Sequence, residues 1–120
     1  MISISFLSCK TDQEIKYEQY VITGKTLYLN NCANCHGNNG EGLRKLYPSL
    51  NTSPRLQDFE YLSCLIKHGT SEKEINMPGN KDLYDLDIAQ IITFMNDAWG
   101  HKKQITETDA VRKAQCEVNF

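Results

Sequence analysis

The sequence predicts an all-α fold, with three core helices and a short C-terminal helix gathered around one covalently held prosthetic group. Three observations carry that expectation. Apolar residues recur at helical spacing in three separate segments. No segment carries a strong strand signal. At the end of the first segment stands Cys32-Ala33-Asn34-Cys35-His36. Two cysteines three apart, followed at once by histidine, form the attachment signature of a c-type haem. The spacing has a chemical reason. On one turn of helix both thiols reach the two vinyl groups of a haem and form thioethers, and the next residue carries an imidazole to the iron. Histidine suits that place because one neutral ring nitrogen binds iron while the other is held by a hydrogen bond.

Two other chemistries use such residues. A zinc site needs a second ligand pair at short spacing, whereas Cys64, Cys116, His68 and His101 stand singly and far apart. A thioredoxin-like redox pair needs a βαβ context, and the flanks here read as helix. The chain of 120 residues has room for one domain with a modest core. A covalent haem would supply a large apolar plate at the centre of so small a domain. With 13 basic and 15 acidic residues the net charge is −2, which gives no argument for nucleic acid or an anionic membrane surface.

The first helix is expected from about Asp12 to Asn34, with Tyr20, Val21, Gly24, Leu27 and Tyr28 on one face. Gly24 costs about 1 kcal/mol relative to alanine inside a helix, which makes sense if another helix crosses there closely. After His36 comes Gly37-Asn38-Asn39-Gly40-Glu41-Gly42, a loop suited to wrap around something flat. It lacks the following helix N-terminus and Lys-Ser/Thr pair of a phosphate cradle. Pro48 biases Tyr47 toward an extended conformation. Ser53-Pro54 reads as a helix start, followed by the stripe Leu56, Phe59, Leu62, Leu65 and Ile66, with Gly69 as the stop.

Residues 70–81 read as a polar loop holding Asn76-Met77-Pro78-Gly79-Asn80. A methionine there has no helix face to fill, and a thioether is a natural second axial partner for a histidine-bound haem iron. The last core helix is expected from Asp85 to Trp99, with Ile88, Ile91, Ile92, Met95 and Trp99 inward and Gly100 as its stop. Met95 therefore belongs to the core. Residues 105–113 read as a short capped helix.

The N-terminus is apolar and uncharged up to Lys10, too short to span a bilayer and without a basic leader region. Phe6-Leu7-Ser8-Cys9 resembles the end of a bacterial lipoprotein signal, with Cys9 as the lipidated residue; the plainer reading is a frayed start with a surplus cysteine. Of the five cysteines, haem takes two and a lipid one, which leaves Cys64 and Cys116 as a candidate disulfide. The expected organisation is a signal remnant or flexible start over 1–11, a core domain over 12–100, and a tail with a short helix over 101–120.

Helix, C-x-x-C-H, glycine loop, X-Pro-X-Leu, short helix, Met-Pro loop and aromatic-bearing helix follow in one order. Across about residues 15–100 that order resembles the class I cytochrome c family, most specifically at Cys32, Cys35, His36, Gly37, Pro48, Met77, Pro78 and Phe94. The tail from Trp99 onward resembles small periplasmic cytochromes, including those attached to quinone-dependent dehydrogenases. The resemblance implies one haem c on Cys32 and Cys35, with His36 and Met77 as axial ligands and the Pro48 carbonyl holding the His36 Nδ1–H. It implies that Gly24 and Tyr28 cross the last helix near Ile91 and Phe94. It also implies a propionate contact from Arg44, Tyr47, Tyr61 or Asn51, with nothing in the sequence to select among them. The lysine run common around the haem edge in that family is missing here, which leaves the docking partner open.

The function expected from this is single-electron transfer in the periplasm or cell envelope, from a dehydrogenase to an oxidase or another cytochrome. The chain would not itself be an enzyme. Rival readings are a haem enzyme subunit or gas sensor in which Met77 leaves the iron, a zinc module on Cys32, Cys35 and His36, and a bis-histidine iron using His68.

Overall fold

The computed structural model describes residues 9–72 and 75–116. Helix α1 (Asp12–Asn31) starts at Thr11, whose hydroxyl accepts the Glu14 N–H at 3.2 Å. Its buried face is Tyr20, Gly24 and Tyr28. Helix α4 (Asp85–Met95) crosses that face. A Cβ built on Gly24 would stand 2.0 Å from the Gln90 carbonyl oxygen and 2.9 Å from Phe94 Cβ, so only glycine permits the approach. Tyr28 packs on Phe94 at 5.6 Å and edge-on to Trp99 at 5.2 Å between ring centroids. Ile88, Ile91 and Ile92 are fully buried behind this crossing.

The expected first helix divides in two. α1 ends at Asn31, and after Cys32 a separate turn, α2 (Ala33–His36), carries the motif. The third helix also begins later than Ser53-Pro54 suggests. α3 spans Phe59–His68, and its cap is Asp58, whose carboxylate accepts the Tyr61 N–H at 3.1 Å. Ser53 instead accepts the Arg55 N–H at 3.2 Å in a tight turn. Ser-Pro opens turns as readily as helices, and the stronger cap next to the apolar run prevails.

The all-α expectation needs a correction. β1 (Gly69–Glu72) and β2 (Ile75–Pro78) pair antiparallel where a polar loop was expected, and Thr70 stands opposite Met77. Gly69, at φ +71°, turns the chain out of α3 into this ladder. Four-residue strands without alternation leave little trace in a sequence.

The last core helix stops short of Trp99. After Met95 the chain makes a π-helical turn (Asn96–Gly100), and His101 rather than Gly100 takes the left-handed conformation, at φ +52°. Asn96 causes part of this by donating its amide to the carbonyls of Leu56 at 2.7 Å and Ile92 at 3.2 Å. The tail then straps the core. The Thr106 N–H reaches Thr93 Oγ1 at 3.0 Å, and α5 (Thr108–Lys113) starts three residues later than expected. Val111 is fully buried, and Cys64 and Cys116 form a disulfide with Cα atoms 5.4 Å apart. Cys9 is an exposed free thiol, and the Phe6-Leu7-Ser8 stretch lies outside the described residues. No helix among the described residues is long and apolar enough to cross a membrane.

Candidate functional site

The C-terminal end of α1 feeds directly into the motif. The Cys32 N–H continues the helix to the Tyr28 carbonyl at 2.8 Å, and the His36 N–H bonds the Cys32 carbonyl at 3.0 Å. That single turn leaves Cys35 exposed, Cys32 half-buried and His36 buried at 8% exposure. His36 Nδ1 lies 2.9 Å from the Pro48 carbonyl oxygen. A carbonyl can only accept, so Nδ1 carries the proton and Nε2 is left with its lone pair free. A histidine that binds a metal through Nε2 has that tautomer.

The glycine loop fastens this arrangement. The Gly42 N–H donates to the His36 carbonyl at 2.7 Å, and a Cβ on Gly42 (φ +69°) would stand 2.4 Å from the Tyr47 carbonyl oxygen and 2.8 Å from that of Pro48. The 47–48 backbone can therefore close over His36 only against glycine. Leu50 and Asn51 N–H groups bond the Gly40 carbonyl at 2.7 and 3.0 Å, and the Asn51 amide donates to the Asn39 carbonyl at 3.0 Å. From the other side the Tyr28 hydroxyl donates to the Gly37 carbonyl at 2.8 Å. Burial, with smaller contributions from Cys32 and Glu41, raises the Tyr28 phenol well above its ordinary value, so it stays a donor.

Met77 is half-buried in β2. The strand's exit is tied back to the motif. The Asn80 N–H bonds the Ile66 carbonyl at 2.8 Å, and its side-chain amide donates to Asn31 Oδ1 at 3.2 Å, one residue before Cys32. The site residues expected from sequence do not all converge. Arg44 is exposed in a left-handed turn at φ +47°, and Tyr47 is exposed beside it. Tyr61 instead lies under the Arg55 guanidinium at 3.4 Å, and Asn51 spends its amide on the loop. His68 is exposed at the end of α3, and Met95 is core at 3% exposure. Three supports escaped sequence reading: the Asn80–Asn31 tie, the Tyr28 hydroxyl and the Gly42 approach. Only Gly42, in a run of three glycines, left a signal.

These residues fit a haem better than a metal ion alone. Among the described residues, no group of three or more His, Cys, Asp and Glu side chains converges on one point. Burial, followed by the neighbouring Cys35, pushes the metal-free Cys32 thiol up to about 11, so the thiol is protonated at neutral pH. Leu43, Leu46 and Tyr47, on the turn stitched to His36, are large apolar side chains left exposed. A flat apolar group against His36 would cover that kind of surface.

The likeness to known proteins runs through the same residues. The family profile described as "Cytochrome C oxidase, cbb3-type, subunit III" matches residues 21–95, from within α1 to the end of α4. The cytochrome c subunit of the quinone alcohol dehydrogenase of Gluconobacter oxydans (strain 621H) is 32% identical over 88 residues, covering 65% of this chain and 18% of that protein. The corresponding subunits of Gluconacetobacter polyoxogenes and Komagataeibacter europaeus are each 30% identical over 99 residues, covering 74% of this chain and 21% of theirs. The chain thus spans about a fifth of the length of these relatives. With the profile covering most of the chain and the motif inside it, the chain belongs to the cytochrome c family described as cytochrome c oxidase, cbb3-type, subunit III.

Proposed function

We propose that this chain is a mono-haem c-type cytochrome domain that carries single electrons, with residues 12–100 as the electron-transfer unit. The observation that carries the reading is the His36 Nδ1–Pro48 carbonyl bond at 2.9 Å, because it frees Nε2 of a buried histidine that directly follows two cysteine thiols. Cys32 and Cys35 would form the thioethers, and His36 and Met77 would be the axial ligands. When bound, haem c supplies a one-electron iron couple. The protein's part would be to hold His36 and Met77 in place at the group, which would leave no position open for oxygen or peroxide. Pro48 keeps the imidazole in one tautomer and orientation, and the Asn80–Asn31 tie holds the Met77 strand to the end of α1. Thioether ligation favours the reduced iron and raises the potential. Arg44 and Tyr47, exposed on the turn over His36, are the candidates for propionate contact.

The relatives named as dehydrogenase cytochrome subunits support a quinone-dependent dehydrogenase as electron donor, with an oxidase or another cytochrome as acceptor. The Cys64–Cys116 disulfide supports an oxidising cell-envelope location, where Cys9 would carry a lipid. Two measurements test the site. Met77→Ala should open the ferrous protein to carbon monoxide and lower its potential; an unchanged potential and spectrum would remove Met77 from the iron. Cys35→Ser should move the alkaline pyridine spectrum to that of a single thioether, and an unaltered spectrum would contradict attachment at Cys35.

A further inference from the structure

Helix α1 is apolar on two opposite faces. Tyr20, Gly24 and Tyr28 face the core. Ile15, Ile22 and Leu29 recur every seven residues on the far side, where they are 43%, 68% and 40% exposed. On an outward helix face polar residues are the rule; here a seven-residue repeat of aliphatic side chains alternates with Glu18 and Lys25, a mixed seam that a second helix can match. The seam does not stand alone. It borders a groove of about 910 Å³ between α1 and residues 103–107, with Val21, Ile22 and Ile105 among its walls.

We infer that this face pairs with the same face of a second copy of the chain, the two α1 helices running antiparallel about Ile22. In that register Ile22 meets Ile22 of the other copy, and Ile15 meets Leu29 at both ends. Charge selects this occupant and this direction. Lys25 is exposed and has no carboxylate within ion-pair distance among the described residues, while the half-exposed Glu18 carboxylate is held by Lys10 through Oε1 alone, at 2.6 Å. Antiparallel pairing brings it beside Glu18 of the other copy, twice by symmetry, whereas parallel pairing would stack Glu18 on Glu18 and Lys25 on Lys25. A twofold axis also demands a self-complementary surface, which the seam is. Each α1 would lie along the groove of the other copy, which widens the contact beyond one helix ridge. A helix of this length spans about 30 Å, so the buried area stays near the lower end for specific interfaces, and the association is reversible.

The test is sedimentation velocity of the holoprotein from about 10 μM to about 1 mM, a range that brackets reversible dimers of this size. The wild-type weight-average mass should climb with concentration toward that of two chains. Ile22→Glu should abolish the climb while the spectrum and thermal unfolding stay as in the wild type. Lys25→Glu should weaken dimerisation about tenfold, and adding Glu18→Lys should restore it, because the two charges exchange partners across the axis. A wild type that stays a single chain at every concentration overturns the inference. So does a charge swap that fails to restore what Lys25→Glu removed, since that result rules out the antiparallel register that sets Lys25 beside Glu18.

Discussion

His36 is committed on one side before any ligand arrives. Its Nδ1–H is held by the Pro48 carbonyl and its backbone carbonyl by the Gly42 N–H, so the ring can turn only Nε2 toward a partner. Gly42 makes both contacts compatible, since any side chain there would strike the carbonyls of Tyr47 and Pro48. Gly42→Ala therefore adds a steric clash to an unfavourable φ of +69° and should cost about 2 kcal/mol. Urea unfolding of the holoprotein checks this, and a midpoint equal to wild type would mean that the loop closes over His36 some other way. Cys32 differs in kind: burial keeps its free thiol protonated up to about 11.

Between elements, one crossing dominates. α1 and α4 touch at Gly24, where a Cβ would overlap the Gln90 carbonyl. Gly24→Ala should destabilise the fold by about 3 kcal/mol despite alanine's better helix propensity, a reversal of sign that thermal unfolding reads directly. At α3 the cap is Asp58, held below its ordinary value first by the Tyr61 N–H and then by Arg55. A carboxyl with a lowered folded-state value adds stability at neutral pH and loses it as pH falls through that value. Asp58→Ala should thus cost about 1 kcal/mol at pH 7, and the difference from wild type should fade in acid below about pH 4. A cost that is independent of pH would show that the cap acts without its charge. These elements were unequally legible in the sequence. α1, α4 and the motif announce themselves because long apolar periodicity and fixed Cys-Cys-His spacing are strong signals. The hairpin, the π-helical turn and the late start of α3 do not, because they follow from tertiary bonds. Asn96 reaches Leu56 across forty residues, Gly69 turns out of a helix, and Asp58 outcompetes an equally plausible Ser53-Pro54. The Asn80–Asn31 tie at the candidate site was hidden for the same reason.

At the scale of the whole molecule, a small domain is closed twice. The 104–116 tail crosses α4, α1 and α3 through Thr93, Tyr20 and Lys67, and the Cys64–Cys116 disulfide pins its end. With a sequence separation of 52, that bridge should contribute about 4 kcal/mol by restricting the unfolded chain. Replacing both cysteines by serine should lower the urea midpoint accordingly while leaving the haem spectrum of each oxidation state intact, because neither cysteine lies in the motif. Loss of the spectrum on that replacement would instead tie the tail to the site. Beneath these closures lies the proposed one-electron centre, with His36 and Met77 as its candidate ligands. The most direct test is the absorption spectrum of the purified protein, oxidised, reduced, and then exposed to carbon monoxide. A closed His36–Met77 centre should give sharp reduced bands, a weak far-red ferric band from sulfur–iron bonding, and no response to the gas. A strong carbon monoxide response in the untreated ferrous protein would contradict it and make the iron an open, reactive centre.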